Sequence, residues 1–204
     1  MDSMGAKLVG IGEQYNPGLG FFHQFDKVLA PLLNHRAVGF KAMLVEMRPS
    51  VIVETGCLRQ TGNWAGDGQS TFVFDLYAEA EDAQVWSVDI SPSAIMTARS
   101  ATSPRTQLVL NDSIAFLSRF TTPVDLLYLD SLDADENSMA SAQHHLMELA
   151  AAKHLLKKGS IVCCDDSPTR DGIVTGKGRF IAQYMERISA HMILREYQAA
   201  WVMP

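Results

Sequence analysis

Acidic or glycine-rich residues stand at the ends of four successive apolar, strand-like runs, and that order constrains the fold more than any other feature. The runs are Val51-Ile-Val-Glu54-Thr-Gly56, Val85-Trp-Ser-Val-Asp89, Leu108-Val-Leu-Asn-Asp112-Ser113 and Val124-Asp-Leu-Leu-Tyr-Leu-Asp130. Gly68-Gln-Ser70-Thr71 opens a helix between the first two. In an open parallel sheet the strand carboxyl ends share one edge, and ligands bind in the crevice there. One such run would say little. Four in register point to a nucleoside-cofactor site.

Strands are expected near 50–54, 84–89, 106–111, 124–130 and 160–165, with helices near 69–81, 92–101, 113–119, 138–156 and 178–189. The strand runs are continuously apolar, as they must be when helices cover both sheet faces. From Phe22 to Met47, apolar residues recur at helical spacing; Pro31 is expected to divide the stretch into two helices and Pro49 to close it. His191-Met-Ile-Leu-Arg-Glu and Gln198-Ala-Ala-Trp-Val-Met203 read as two terminal strands. With almost nothing between them, they can pair only as an antiparallel hairpin. The expected fold is therefore α/β: a doubly wound, mostly parallel sheet with N-terminal helices and a C-terminal antiparallel strand pair. Residues 1–21, with five glycines and little periodicity, read as a flexible arm, and 22–204 as a single domain.

At 204 residues the chain has room for one such domain with a sizeable core. Its net charge of -6 argues against nucleic acid as a partner, since a phosphate backbone calls for a concentrated basic face. Three cysteines, Cys57, Cys163 and Cys164, two of them adjacent in a buried strand, suggest no disulfide framework. They point to a reducing, cytoplasmic setting. The N-terminal residues carry no apolar segment of a secretory signal, and no run approaches membrane-spanning length, so no membrane partner is expected.

Several of these positions carry chemistry. Glu54 and Gly56 end the first strand, and Gly68 and Ser70 open the next helix, where glycine permits close backbone approach and free amides attract anions. The intervening loop, Cys57 to Asp67, matches neither the dinucleotide glycine pattern nor a P-loop. Its Arg59 and Trp64 either contact ligand or pack the loop on itself. Asp89 is placed to grip two ribose hydroxyls, or else to serve the turn before Pro92. Asp112 and Ser113 are placed to meet a purine edge or to cap the following helix.

This order of motifs resembles the S-adenosylmethionine-dependent methyltransferases of Rossmann-like fold, over roughly residues 22–204. The resemblance implies that Glu54 and Gly56 cradle the methionine part of the cofactor, Asp89 its ribose, and Asp112 and Ser113 its adenine. The first loop departs from the family by being longer than the usual Gly-x-Gly.

A second cluster concerns the acceptor. Asp130 ends the fourth strand, and Asp165-Asp166 ends the fifth. Adjacent parallel strands bring these carboxylates to one edge, where a divalent cation with oxygen ligands would relieve their repulsion. The alternative is that Asp165 and Asp166 cap the next segment. The arrangement resembles the metal-dependent O-methyltransferases, of catechol type and of macrolide or aminocoumarin sugar type, and the Asp-Asp pair is closer to the sugar branch. That resemblance implies magnesium, or a similar ion, held by Asp130, Asp165 and Asp166. Asp133, His144, His145 and Lys177 are the candidate bases, set against surface or packing roles for the histidines and a basic loop tip for Gly176-Lys177-Gly178.

The expected activity is methyl transfer to a hydroxyl of a small molecule. Its rivals are a metal-independent methyltransferase acting on nitrogen or protein, and a silent subunit that only binds the cofactor. The apolar N-terminal helices offer a surface for a homodimer.

Overall fold

The computed structural model describes residue 11 and residues 15–67, 69–133 and 139–204. Strands β1 (Val51–Thr55), β2 (Gln84–Asp89), β3 (Thr106–Leu110), β4 (Val124–Leu129) and β5 (Leu156–Cys164) are parallel. A two-residue hairpin, β6 (Thr169–Arg170) with β7 (Ile173–Val174), stands apart. Strands β8 (His191–Arg195) and β9 (Ala199–Val202) complete the main sheet in the order β3-β2-β1-β4-β5-β9-β8, and β9 runs antiparallel to both neighbours. Chain order reverses at β1, whose neighbours are β2 and β4, so a crevice opens beside its carboxyl end. The expected fold class and hairpin tail are both observed.

Helices α1 (Ser70–Glu81), α2 (Pro92–Ala101), α3 (Ser113–Arg119), α4 (Met139–Ala152) and α5 (Arg179–Arg187) connect the strands. The continuous apolar runs divide residue by residue between two cores. Ile52, Val85, Leu126, Ile161 and Cys163 enter a cluster with α1, α2 and the N-terminal helical segment. Val53, Leu127, Val162 and Cys164 enter the opposite one, with α4 and α5. Successive strand side chains point to opposite faces, and here both faces are dry.

Three local expectations shift. The N-terminal segment, residues 21–46, does not divide at Pro31. A wide i→i+5 turn over Phe25–Leu29 ends just before it, and Pro31 enters the first turn of Ala30–Leu33, where a missing N–H costs little. The irregularity falls instead at the tight turn Asn34–Arg36. The helix expected to reach residue 156 stops at Ala152, and β5 starts at Leu156, with Gly159 (φ +90°) taking up a shift in the β4–β5 register. The β6–β7 hairpin was not expected, although its Asp171-Gly172 turn, both residues at positive φ, is the residue pair such a turn favours.

Within the N-terminal arm, most residues lie outside the described ones. Ile11 and Tyr15 are buried in the first core, and Gln24 ties down Asn16 through two 2.6 Å bonds. Among the described residues no helix is long and apolar enough to cross a membrane.

Candidate active site

The ends of β1, β2 and β3 form one wall of a groove. Gly56 (φ +82°) turns so sharply that an added Cβ would stand 2.4 Å from the Asp130 carbonyl oxygen, so only glycine fits. Beside it lies a cavity of about 220 Å³ whose lining includes Asp89, Ile90, Asp112, Ser113, Leu132 and His144. A narrower niche shares Gly56, Asp89 and Ser131 with it, and adds Ser70, Asp67 and Asp130. Asp89, Asp112, Ser113 and Ser70 therefore line one continuous groove together with Gly56. Gly68 lies outside the described residues.

Asp89 serves the turn as well as the groove. Its carboxylate accepts the Cys57 N–H at 3.0 Å and the Ser91 N–H at 2.7 Å, while Ser91, not Asp89, caps α2. Asp112 likewise caps α3, accepting the Ala115 N–H at 2.8 Å, and still faces the cavity. At both positions the turn or cap role leaves the carboxylate facing the cavity. Carboxylate oxygens carry spare lone pairs.

Glu54 sits deeper. It is fully buried; one oxygen accepts Thr71 at 2.7 Å and Ser87 at 2.5 Å, while Oε1 has no partner. Burial pushes its carboxyl up to about 7, against the lowering effect of hydroxyls from Ser70, Ser87 and Thr71. Glu54 lines neither space directly and lies behind Ser70 and Gly56; a buried acceptor left orphaned there suits a ligand that brings donors. Exposed Ile90 and Leu132 offer apolar faces in the same groove, and no sequence spacing marked them.

The long first loop packs largely on itself. Asp67 accepts the backbone N–H groups of Arg59 and Gln60 and the Arg59 Nε, and Trp64 stacks edge-on against Phe72. Arg59 then reaches Asp133 at 2.6 Å. Arg59 and Asp133 line a second, larger cavity of about 640 Å³, together with Arg36, Asp166, Arg170 and Tyr197. Arg59 also borders the niche, so the two spaces adjoin.

The strand-end carboxylates meet at one edge, but on cationic side chains of the chain itself. Asp165 is buried and turns to Arg36 Nε and the Tyr128 hydroxyl, each at 2.9 Å. Asp130 and Asp166 face Lys177, whose Nζ lies 2.5 Å from one and 3.0 Å from the other. Tyr197 donates a further, short bond to Asp166. Burial opposes the Lys177 ammonium, but Asp130 and Asp166 outweigh it and raise its pKa above the usual lysine value. The same ammonium holds Asp166 below the usual carboxylate range, despite burial acting the other way. This donor set does not fit magnesium: a lysine stands between two of the ligands, and the third is spent on an arginine. Among the described residues no group of three or more Asp, Glu, His or Cys is arranged to hold a metal ion.

The candidate bases separate. Asp133 faces the larger cavity. His144 lines the smaller one, 3.3 Å from Glu148, whose hydrogen bond raises its pKa. His145 is fully buried, its ring nitrogen 2.6 Å from the Ser141 carbonyl oxygen, and burial lowers its pKa. Lys177 is buried rather than a loop tip. Arg36, Tyr128 and Tyr197 were not singled out from the sequence; they come from the turn Asn34–Arg36, from β4 and from the turn between β8 and β9, far apart in the chain.

A family model described as a methyltransferase domain matches residues 61–167. The chain belongs to that family. No curated protein matches this chain in sequence. Among solved structures, MycE methyltransferase from the mycinamycin biosynthetic pathway, in complex with Mg, SAH and mycinamycin VI, superposes with a TM-score of 0.60 at 12% identity. That match covers 90% of this chain but 52% of MycE, so the chain spans about half of MycE's length. SAH-bound PaMTH1 from Podospora anserina gives 0.57 at 17% identity, over 95% of this chain and 88% of its own. The N-methyltransferase NodS from Bradyrhizobium japonicum WM9, with SAH, gives 0.56 at 12% identity, over 91% and 99%. Likeness at such identities establishes a shared methyltransferase fold.

Proposed function

We propose that this methyltransferase takes its methyl group from S-adenosylmethionine and passes it to a hydroxyl of a small polar molecule held in the larger cavity. The observation that carries this reading is the junction of two spaces at one sheet edge. A groove suited to a nucleoside, lined by Gly56, Asp89 and Asp112, meets an open polar cavity faced by Asp133 and Asp166. The acceptor oxygen bonds to the methyl carbon as the carbon–sulfur bond breaks, the electron pair leaves with sulfur, and the hydroxyl proton passes to a carboxylate or to solvent. Such an in-line displacement gains most from positioning.

Within the groove, Glu54 Oε1 and Ser70 would meet the amino-acid end of the donor, Asp89 its ribose hydroxyls, and Ile90 and Leu132 the faces of its purine. The choice of oxygen over nitrogen rests on the likeness of the Asp165-Asp166 strand end to the sugar-type O-methyltransferases. The fold itself does not choose, since the N-methyltransferase NodS shares it.

The deciding experiment supplies methyl-labelled S-adenosylmethionine with matched panels of hydroxylated and amino acceptors, with and without a chelator, and follows S-adenosylhomocysteine release. Methylation confined to hydroxylated acceptors is expected. Product formed only from amines would overturn the oxygen assignment, and failure to bind the donor would overturn the whole reading.

A further inference from the structure

Gly176-Lys177-Gly178 is built around its lysine. The Lys177 N–H donates to the Asp166 carbonyl oxygen at 3.1 Å, pressing the turn against the end of β5. A Cβ on Gly176, at φ +62°, would stand 2.1 Å from that same carbonyl oxygen, and one on Gly178 would stand 2.6 Å from Ser167 Oγ. Only glycine fits on either side, and between the two glycines Lys177 is driven inward until none of its side chain is exposed. Its Nζ ends between Asp130 and Asp166, at the place where a cation bridging those carboxylates would sit.

We propose that Lys177 stands in for the divalent cation: one fixed ammonium bridges Asp130 and Asp166, this site takes no metal ion, and the acceptor meets the Asp166 carboxylate directly. Charge and geometry agree on this. Two cations, Lys177 and Arg36, already face three carboxylates, so a divalent ion would meet strong like-charge repulsion at short range in a desolvated setting. Magnesium also demands oxygen ligands in near-octahedral array, and here the inward-facing oxygens are hydrogen-bonded to nitrogen donors or tyrosine hydroxyls. Because its ammonium is fully buried, Lys177 acts as a positioning residue. Asp130 keeps an exposed edge toward the cofactor groove and Asp166 one toward the acceptor cavity, so a single lysine sets the charge on both sides of the transfer.

The role given to Asp166 rests on the proposed function, but the cation question does not. The test uses Mn2+ as probe and counts bound ions by paramagnetic resonance, in the presence of S-adenosylhomocysteine. The parent is expected to bind no stoichiometric Mn2+. Lys177→Ala, which leaves the carboxylates uncompensated, should gain one Mn2+ per chain, with affinity raised at least about tenfold over the parent. That ion should be lost again in Lys177→Ala/Asp130→Asn, and Lys177→Arg should gain none. If Lys177→Ala is unstable, Mn2+ should raise its melting temperature while leaving the parent's unchanged. A parent that binds one Mn2+ per chain through Asp130 overturns the proposal, as does a folded Lys177→Ala that gains none. Should the variant not fold even with Mn2+, the parent's count decides alone. A parent that binds neither cofactor nor acceptor would sink the proposed function and leave the Mn2+ counts standing.

Discussion

The two halves of the site treat their carboxylates in opposite ways. On the β1–β2–β3 side, Glu54 has an orphaned buried oxygen, and Asp89 and Asp112 accept backbone N–H groups while facing a cavity. On the β4–β5 side, Asp130, Asp165 and Asp166 are each matched to a cationic side chain supplied by the chain itself. The first side is short of donors and invites a ligand that brings them. The second is already engaged by the chain's own cations, so an acceptor there finds a shaped, charged wall rather than an open coordination site. Strand ends look alike in sequence on both sides; the elements packed over them make the difference.

The largest effect should follow from breaking the self-paired side. Arg36 is 6% exposed and Asp165 2% by side chain, so Arg36→Ala leaves a carboxylate buried with no cation in contact. Removing one partner of a buried pair costs about 3–5 kcal/mol, and urea unfolding should read a loss of that size. Arg36→Ala/Asp165→Asn should recover part of it. A loss no larger than that of an exposed pair such as Lys41–Asp26, whose side chains are 45% and 67% exposed, would mean the two sides do not differ as described.

How much of this was legible in sequence follows the same division. Glu54, Gly56, Asp89, Asp112 and Ser113 could be placed because each lies within a few residues of a strand end, and strand order fixes where those ends go. Asp130, Asp165 and Asp166 were placed at the correct edge for the same reason. Their partners were not. Arg36 comes from an apolar N-terminal helical stretch about 130 residues before Asp165, and Tyr197 from the turn between β8 and β9. Long-range partners of that kind leave no local spacing to read. Lys177 was noticed for its flanking glycines, but their steric role needs the Asp166 backbone in view. The break in the N-terminal segment was misplaced because Pro31 is harmless in a first helical turn.

A second way to sharpen the comparison is through pH. Burial raises the Glu54 carboxyl to about 7 in the folded chain, from an ordinary value of 4.5. Between those values the folded state holds a proton that the unfolded chain has released, so stability is highest at the acid end and falls as pH rises through this window. The loss is on the order of 3 kcal/mol by pH 7. Glu54→Gln should flatten that slope. If donors of the cofactor's amino-acid end meet the ionised carboxylate, S-adenosylhomocysteine should bind more tightly as pH rises toward 7, with release of a proton. Calorimetry in buffers of different ionisation enthalpy would detect it. An affinity independent of pH, with no proton released, would remove Glu54 from the cofactor contacts.

The smallest effect, and the most discriminating, concerns Asp89. Asp89→Ala should weaken S-adenosylhomocysteine binding by about ten- to a hundredfold, equivalent to roughly 1.5–3 kcal/mol for a hydrogen bond to a charged group. The same change frees the Cys57 and Ser91 N–H groups, so some stability is lost too. Ser91 lies at a partly exposed position where water can replace the carboxylate, and the amides lost are neutral groups rather than a buried charge, so that loss should stay well below the one from Arg36→Ala. Asp89→Asn keeps an acceptor oxygen and should fall between parent and Asp89→Ala in affinity. Measuring binding and urea unfolding on the same samples separates the two roles. If Asp89→Ala binds the cofactor product as tightly as the parent while losing as much stability as Arg36→Ala, then Asp89 is a turn residue, its carboxylate is as fully engaged as Asp165, and the contrast between the two sides fails at the ribose position.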